Sequence, residues 1–218
     1  MISVLEQKKI LQRKTKQIVK LPHLTGLQWT AHAGAIVPMV WLIIRYATNN
    51  LTFNPIQAAT QRTGDFALVL LILSLACTPI HIVTGYKSVL KLRKILGLYA
   101  FAYAATHLFI FSVIDYQFDF QQIGSLIVEK KYILVGLASI IILTLLAITS
   151  FRWWMKRLGK NWKRLHRLVY VAGLFVVLHY GWASKGNFFQ LQGNVWKPLL
   201  AGVIVVALLA TRIPVIRL

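Results

Sequence analysis

Six stretches of this chain stay apolar over lengths that no soluble core element requires: 27–46, 66–83, 95–114, 132–150, 168–183 and 195–211. Each is close to the roughly 17 to 25 residues a helix needs to cross a bilayer. The runs are continuously apolar instead of alternating with period two, and lipid obliges every backbone N–H and C=O to find its partner within its own segment. The expected fold class is therefore an all-α membrane protein, a six-transmembrane-helix bundle. Of the 218 residues 57% are hydrophobic and 14% charged, and the mean hydropathy of +0.64 leaves too little polar surface for a soluble domain.

Charge gives the bundle a direction. Lys8, Lys9, Arg13, Lys14, Lys16 and Lys20 precede the first block; Lys87, Lys91, Arg93 and Lys94 follow the second; a dense basic run from Arg152 to Arg167 follows the fourth; Arg212 and Arg217 close the chain. Arg45, Arg62, Lys130, Lys131, Lys185 and Lys197 fall on the other side, with Asp65, Asp115, Asp119 and Glu129. The positive-inside rule then places both termini in the cytoplasm. The expected organisation is a basic arm over residues 1–26, a transmembrane domain over 27–211 and a short tail over 212–218, in a multi-pass membrane protein. The arm has no apolar core of signal-peptide type; it is either a basic amphipathic segment on the lipid surface or a solvated tail. The net charge of +20 is accounted for by this topology, and nucleic acid is not an expected partner, because the basic residues sit between apolar blocks and not on one face.

Several chemistries are excluded by what is missing. Cys77 is the only cysteine, which rules out a disulfide scaffold, thiolate zinc and CxxCH haem attachment. No P-loop and no GxGxxG occurs, and no stretch is long enough for a nicotinamide domain. No internal repeat is visible. Asp65 near the start of the second block reads as an acid in a first helical turn, with Thr63 as its cap.

The histidines carry the chemistry. Apart from His23 in the arm, they lie within the blocks or at their ends: His32, His81, His107, His166 and His179. An ionisable residue in a membrane helix costs several kcal/mol unless it faces the bundle interior and a partner. With the third and fifth blocks running the same way, His107 and His179 reach one level, where two imidazoles can take both axial positions of a haem iron. His166 lies about 20 Å from His179 along the axis, the separation of one porphyrin above another, with His32 or His81 as open choices for its partner. Alternatively each histidine hydrogen-bonds a neighbouring helix or relays protons in a transporter or scaffold. Zinc or copper fits less well, since these histidines are spread over two depths without carboxylates. The basic run with Trp153, Trp154 and Trp162 reads either as interfacial anchoring or as a seat for a flavin phosphate or an acidic donor protein.

A set of motifs resembles one family. Arg93-Lys94-Ile95-Leu96-Gly97-Leu98, Tyr103, Thr106-His107-Leu108, Thr149-Ser150, Arg157-Leu158-Gly159-Lys160, Trp162, Leu165-His166-Arg167, Val169-Tyr170 and His179-Tyr180, in this order, are similar to MsrQ proteins, also called YedZ, of the ferric-reductase-like transmembrane class. The resemblance runs from about Trp29 to Tyr180. It implies a haem b subunit of a bacterial inner membrane, of one or two haems, that is itself no methionine repair enzyme but passes electrons to MsrP, a periplasmic molybdopterin reductase of methionine sulfoxide. It also implies FMN, at a site no residue here assigns, and a cytoplasmic flavin reductase or a quinone as donor. The family's haem histidines map onto His107, His166 and His179, and His32 in Ala31-His32-Ala33-Gly34 resembles a histidine of the first helix. The related NADPH oxidases place a second histidine 14 positions before the one matching His107, where this chain has Arg93. A ferric-reductase-like cytochrome with another acceptor is the nearest alternative.

Overall fold

The computed structural model describes residues 25–184, 186–187, 192–193 and 195–211. His23, most of the basic arm and the tail over 212–218 lie outside the described residues. Among the described residues the regular elements are nine α-helices, one 3-10 turn, one π-helical turn and one short antiparallel ladder. Helix α1 is Gly26–Ala47, α2 Pro55–Thr84, α3 Leu92–Phe109, α4 Phe120–Glu129, α5 Lys131–Ile148, α6 Arg152–Leu158, α7 Lys160–Leu165, α8 Leu168–Ala183 and α9 Trp196–Ala210. Between α8 and α9, Gly186–Asn187 pairs with Gln192–Gly193.

Four segments are long and apolar enough to cross a membrane: α1, α2, α5 and the continuous run Lys87–Asp115, in which a 3-10 turn leads into α3 and a π-helical turn, Ile110–Asp115, prolongs it. Helices α8 and α9 lie on the two remaining apolar blocks, but with 16 and 15 residues they span about 24 and 22 Å at 1.5 Å per residue, short of a hydrocarbon core of about 30 Å.

Local chemistry explains the helix ends. Thr25 and Gln28 close a capping box on α1. Helix α2 starts at Pro55, well before the apolar run, because the Asn54 side chain accepts from Gln57 N at 3.1 Å and proline suits the first helical position. This corrects the reading of Thr63 as a cap: Thr63 is inside the helix, fully buried, and its hydroxyl donates to the Ala59 carbonyl at 2.8 Å. Asp65 is accordingly no first-turn acid. Gly85, at φ 70°, ends α2 in the left-handed conformation that glycine adopts without a Cβ clash. Gly159, at φ 51°, divides the basic run into α6 and α7. Helix α4 was not expected; it is capped by Asp119 and buries none of its residues.

The core lies where α2, α3, α5 and α8 meet, around Leu71, Leu75, Ala100, Tyr103, Leu143 and Ala172. Helices α2 and α3 form one antiparallel pair: the Thr60 end of α2 meets the His107 end of α3. Helices α5 and α8 form a second, with Tyr132 beside His179 at one end and Thr149 beside His166 at the other. Helix α1 is tied on by the Tyr103 hydroxyl, which donates to the Ala35 carbonyl at 2.6 Å. That bond lies within a turn of Pro38, whose missing N–H interrupts the ladder of α1.

Candidate functional site

The two helix pairs bring His107 and His179 together at one end of the bundle. Their ring centroids are 6.1 Å apart and their planes stand at 89°. The Nδ1 of His107 is 2.8 Å from the Thr60 carbonyl, and the Nδ1 of His179 is 2.7 Å from the Tyr132 carbonyl. A carbonyl only accepts, so both Nδ1 atoms carry the proton and donate it. In a neutral imidazole this leaves a lone pair on Nε2, the tautomer that a ligand to a metal requires, with the second nitrogen held by a backbone acceptor.

The arrangement is built twice. In each pair a histidine on the later helix donates to a carbonyl 47 residues earlier, one turn before a glycine of the facing helix. Those glycines are Gly64 and Gly136. A Cβ on Gly64 would lie 3.2 Å from His107 Nδ1, and one on Gly136 only 2.6 Å from His179 Nδ1. The repeat that could not be seen in the sequence is thus present in the geometry.

These residues fit a haem iron. Two imidazoles on one metal, each bonded at about 2 Å through a ring nitrogen, put their centroids about 6 Å apart, which matches the observed spacing. Beside the pair, Tyr180 on α8 turns its hydroxyl toward Asp65 on α2, with Arg62 and Lys197 near the carboxylate.

The other histidines are held separately. His166 lies at the far end, its Nε2 3.1 Å from Thr149 Oγ1 and its ring 4.1 Å from that of Trp162. Trp162 in turn donates from Nε1 to the Thr149 carbonyl at 2.8 Å. The Thr149 hydroxyl donates to the Leu145 carbonyl at 2.7 Å, so it accepts from His166. His166 therefore has its proton on Nε2, the opposite tautomer to the other two. Burial, and then the Arg93 guanidinium, hold the His166 imidazole below the ordinary histidine range, so it is neutral at pH 7. His32 Nδ1 meets the Tyr99 hydroxyl at 3.0 Å, two turns or about 12 Å along α3 from His107. His81 Nδ1 is buried without a hydrogen-bond partner among the described residues. Neither His32 nor His81 makes a ring contact with His166 among the described residues.

Reasoning from the sequence found the two histidines and missed what holds them. Gly64, Gly136 and the carbonyls of Thr60 and Tyr132 carry no signal of their own; only the equal spacing in the two helix pairs marks them, and that spacing is recognisable once the helices are paired.

A bundle of apolar helices with two inward histidines at one level is the architecture of a membrane haem protein. In agreement, the family described as "Ferric reductase like transmembrane component" matches residues 63–178, which include His107, His166 and both glycines. Curated relatives narrow the class. A protein-methionine-sulfoxide reductase heme-binding subunit MsrQ from Xanthomonas axonopodis pv. citri is 38% identical over 78% of this chain and 86% of its own length. MsrQ of Rhodospirillum rubrum is 38% identical over 84% and 86%, and that of Herminiimonas arsenicoxydans 37% over 88% and 86%. The chain belongs to the MsrQ family.

Proposed function

We propose that this protein is the haem b subunit of a methionine sulfoxide reductase system, a six-span protein of a bacterial inner membrane with both termini in the cytoplasm. The observation that carries the reading is the His107–His179 pair, spaced for one iron and locked in the ligating tautomer by two backbone carbonyls. Bound there, haem supplies a one-electron carrier. The chain's own part is to fix both imidazoles before the cofactor arrives, so that little reorganisation accompanies ligation. A cytoplasmic flavin reductase or a membrane quinone gives the electron, and the periplasmic molybdopterin reductase MsrP receives it at the His107–His179 end. His166 is the ligand of a second, weaker haem at the opposite end, reached when its Nε2 leaves Thr149. His32, whose Nδ1 meets the Tyr99 hydroxyl, is the open choice for the partner ligand of that second haem.

The test is the visible spectrum of protein purified with haem supplied, oxidised and dithionite-reduced, with a pyridine haemochrome count. A b-type low-spin spectrum is expected, lost in His107→Ala and in His179→Ala. A colourless protein, or full retention of the spectrum in both variants, refutes the reading and returns the histidines to helix locking or proton relay.

A further inference from the structure

We infer that Gly64 and Gly136 are positioning residues for the haem ligands, and that Gly136 is the more stringent of the two. The inference rests on the haem reading above and concerns how the fold aims the two imidazoles. Each Nδ1–H is bound to a carbonyl of the facing helix, one turn from the glycine. A backbone carbonyl is present whatever the side chain, so a hydrogen bond of this kind cannot itself be specified by choosing a residue. The residue choice that makes it reachable is the glycine. Without a Cβ, the facing helix lets the ring approach its backbone edge-on and meet a carbonyl that a side chain would otherwise screen.

The distances set the order of stringency. A Cβ on Gly136 would stand 2.6 Å from Nδ1, 2.8 Å from Cε1 and 3.3 Å from Cγ of His179, an overlap with two ring atoms and a tight contact with a third. The ring cannot retreat and keep its bond, because the Tyr132 carbonyl belongs to the same helix α5 as Gly136. At Gly64 the nearest ring atoms of His107 are 3.2 and 3.4 Å away, a crowding that a shift of a few tenths of an ångström relieves. Two other glycines of the bundle serve as references. Gly173 would meet only Leu75 and Val205 methyls at 3.5 and 3.6 Å, ordinary packing distances, and Gly34 would meet nothing within 4 Å.

The experiment compares Gly136→Ala, Gly64→Ala and Gly173→Ala with the unmutated full chain in detergent, by haem content, ferric EPR and midpoint potential. Gly136→Ala is expected to lose the bis-histidine low-spin signal from most of the protein, in favour of a five-coordinate high-spin form or of apoprotein. Gly64→Ala keeps the low-spin form with a shifted potential and EPR anisotropy, and Gly173→Ala matches the unmutated protein. The decisive comparison is a cycle with His179→Ala. Read by the melting temperature of the haem-free proteins, a Cβ that acts through the ring costs nothing once the ring is gone, whereas damage to α5–α8 packing lowers the melting temperature in both backgrounds. Unmutated spectra and potentials in Gly136→Ala, or additive losses in the cycle, overturn the inference. Should Gly136→Ala fail to accumulate, Gly64→Ala decides alone, and an unshifted potential and EPR spectrum in it overturn the inference equally. Failure of the haem reading looks different: the unmutated protein itself then lacks the low-spin signal, or keeps it in His107→Ala and His179→Ala.

Discussion

Replacing Thr149 by valine separates the two roles open to His166. Valine keeps the branched shape and the backbone carbonyl, so the bond from Trp162 Nε1 at 2.8 Å survives, and only the hydroxyl that accepts His166 Nε2–H at 3.1 Å is removed. His166 is half-buried, and loss of this bond destabilises the haem-free state by about 1 kcal/mol, the net value of a neutral hydrogen bond. Haem binding at His166 must break this bond in any case, because iron and Thr149 compete for the same nitrogen. The holo state therefore loses nothing by the substitution. The difference favours binding by about 1 kcal/mol, about fivefold in the dissociation constant. The assay is a haem titration in a His107→Ala background, which empties the first site, with His166→Ala as the blank. A fivefold tighter titration in His107→Ala/Thr149→Val is expected, with a melting temperature lowered in the haem-free form. An unchanged or weaker affinity refutes the exchange, and a residual haem that survives His166→Ala shows that His166 is no ligand.

Further measurements follow from the same geometry. Because the His107 and His179 planes stand at 89°, the two axial π-donors act on different iron orbitals, and the ferric haem should show one strongly anisotropic low-field EPR feature; a rhombic spectrum would mean the planes are parallel. Tyr103→Phe removes a buried hydroxyl at 2.6 Å from the Ala35 carbonyl and should cost about 1 to 3 kcal/mol, seen as a lower melting temperature with the visible spectrum unchanged. Leu75→Ala, at a side chain 1% exposed in the middle of the core, should cost about 2 to 5 kcal/mol; a loss under 1 kcal/mol would show that this core is loosely packed. Burial depresses the His166 pKa, so the unfolded chain binds its proton more readily. Its contribution to stability is complete above the unfolded value near 6.5 and is lost as pH falls toward the folded one. The stability gap between the unmutated protein and His166→Gln should therefore shrink between pH 7.5 and 5.5, and a gap independent of pH would contradict the neutral, half-buried imidazole.

How far the sequence could be read depends on what kind of signal each feature leaves. The apolar blocks are long-range composition, and the helices lie on all six of them. Helix ends are set by single side chains and by backbone geometry, which is why α2 extends back to Pro55: the Asn54 cap and the proline outweigh the polarity of Gln57, Thr60, Gln61 and Arg62. The same extension turns Thr63 from an expected cap into a buried interior residue. The match between His107 and His179 was legible because depth along a helix is counted in residues, at about 1.5 Å each. Their tautomers were not, because they depend on carbonyls that every residue has and on which helices pair. His166 shows the converse: it lies at the end opposite His107 and His179, yet its Nε2 is turned to Thr149 and carries a proton. An iron ligand needs that nitrogen bare, so the three histidines are not three equivalent sites. Two are held ready for a metal by the backbone, and the third must give up a hydrogen bond to become one. On that difference the proposed first haem is assigned to the His107–His179 end, and a haem at His166 would bind more weakly than it would without the Thr149 bond, by about the value of that bond.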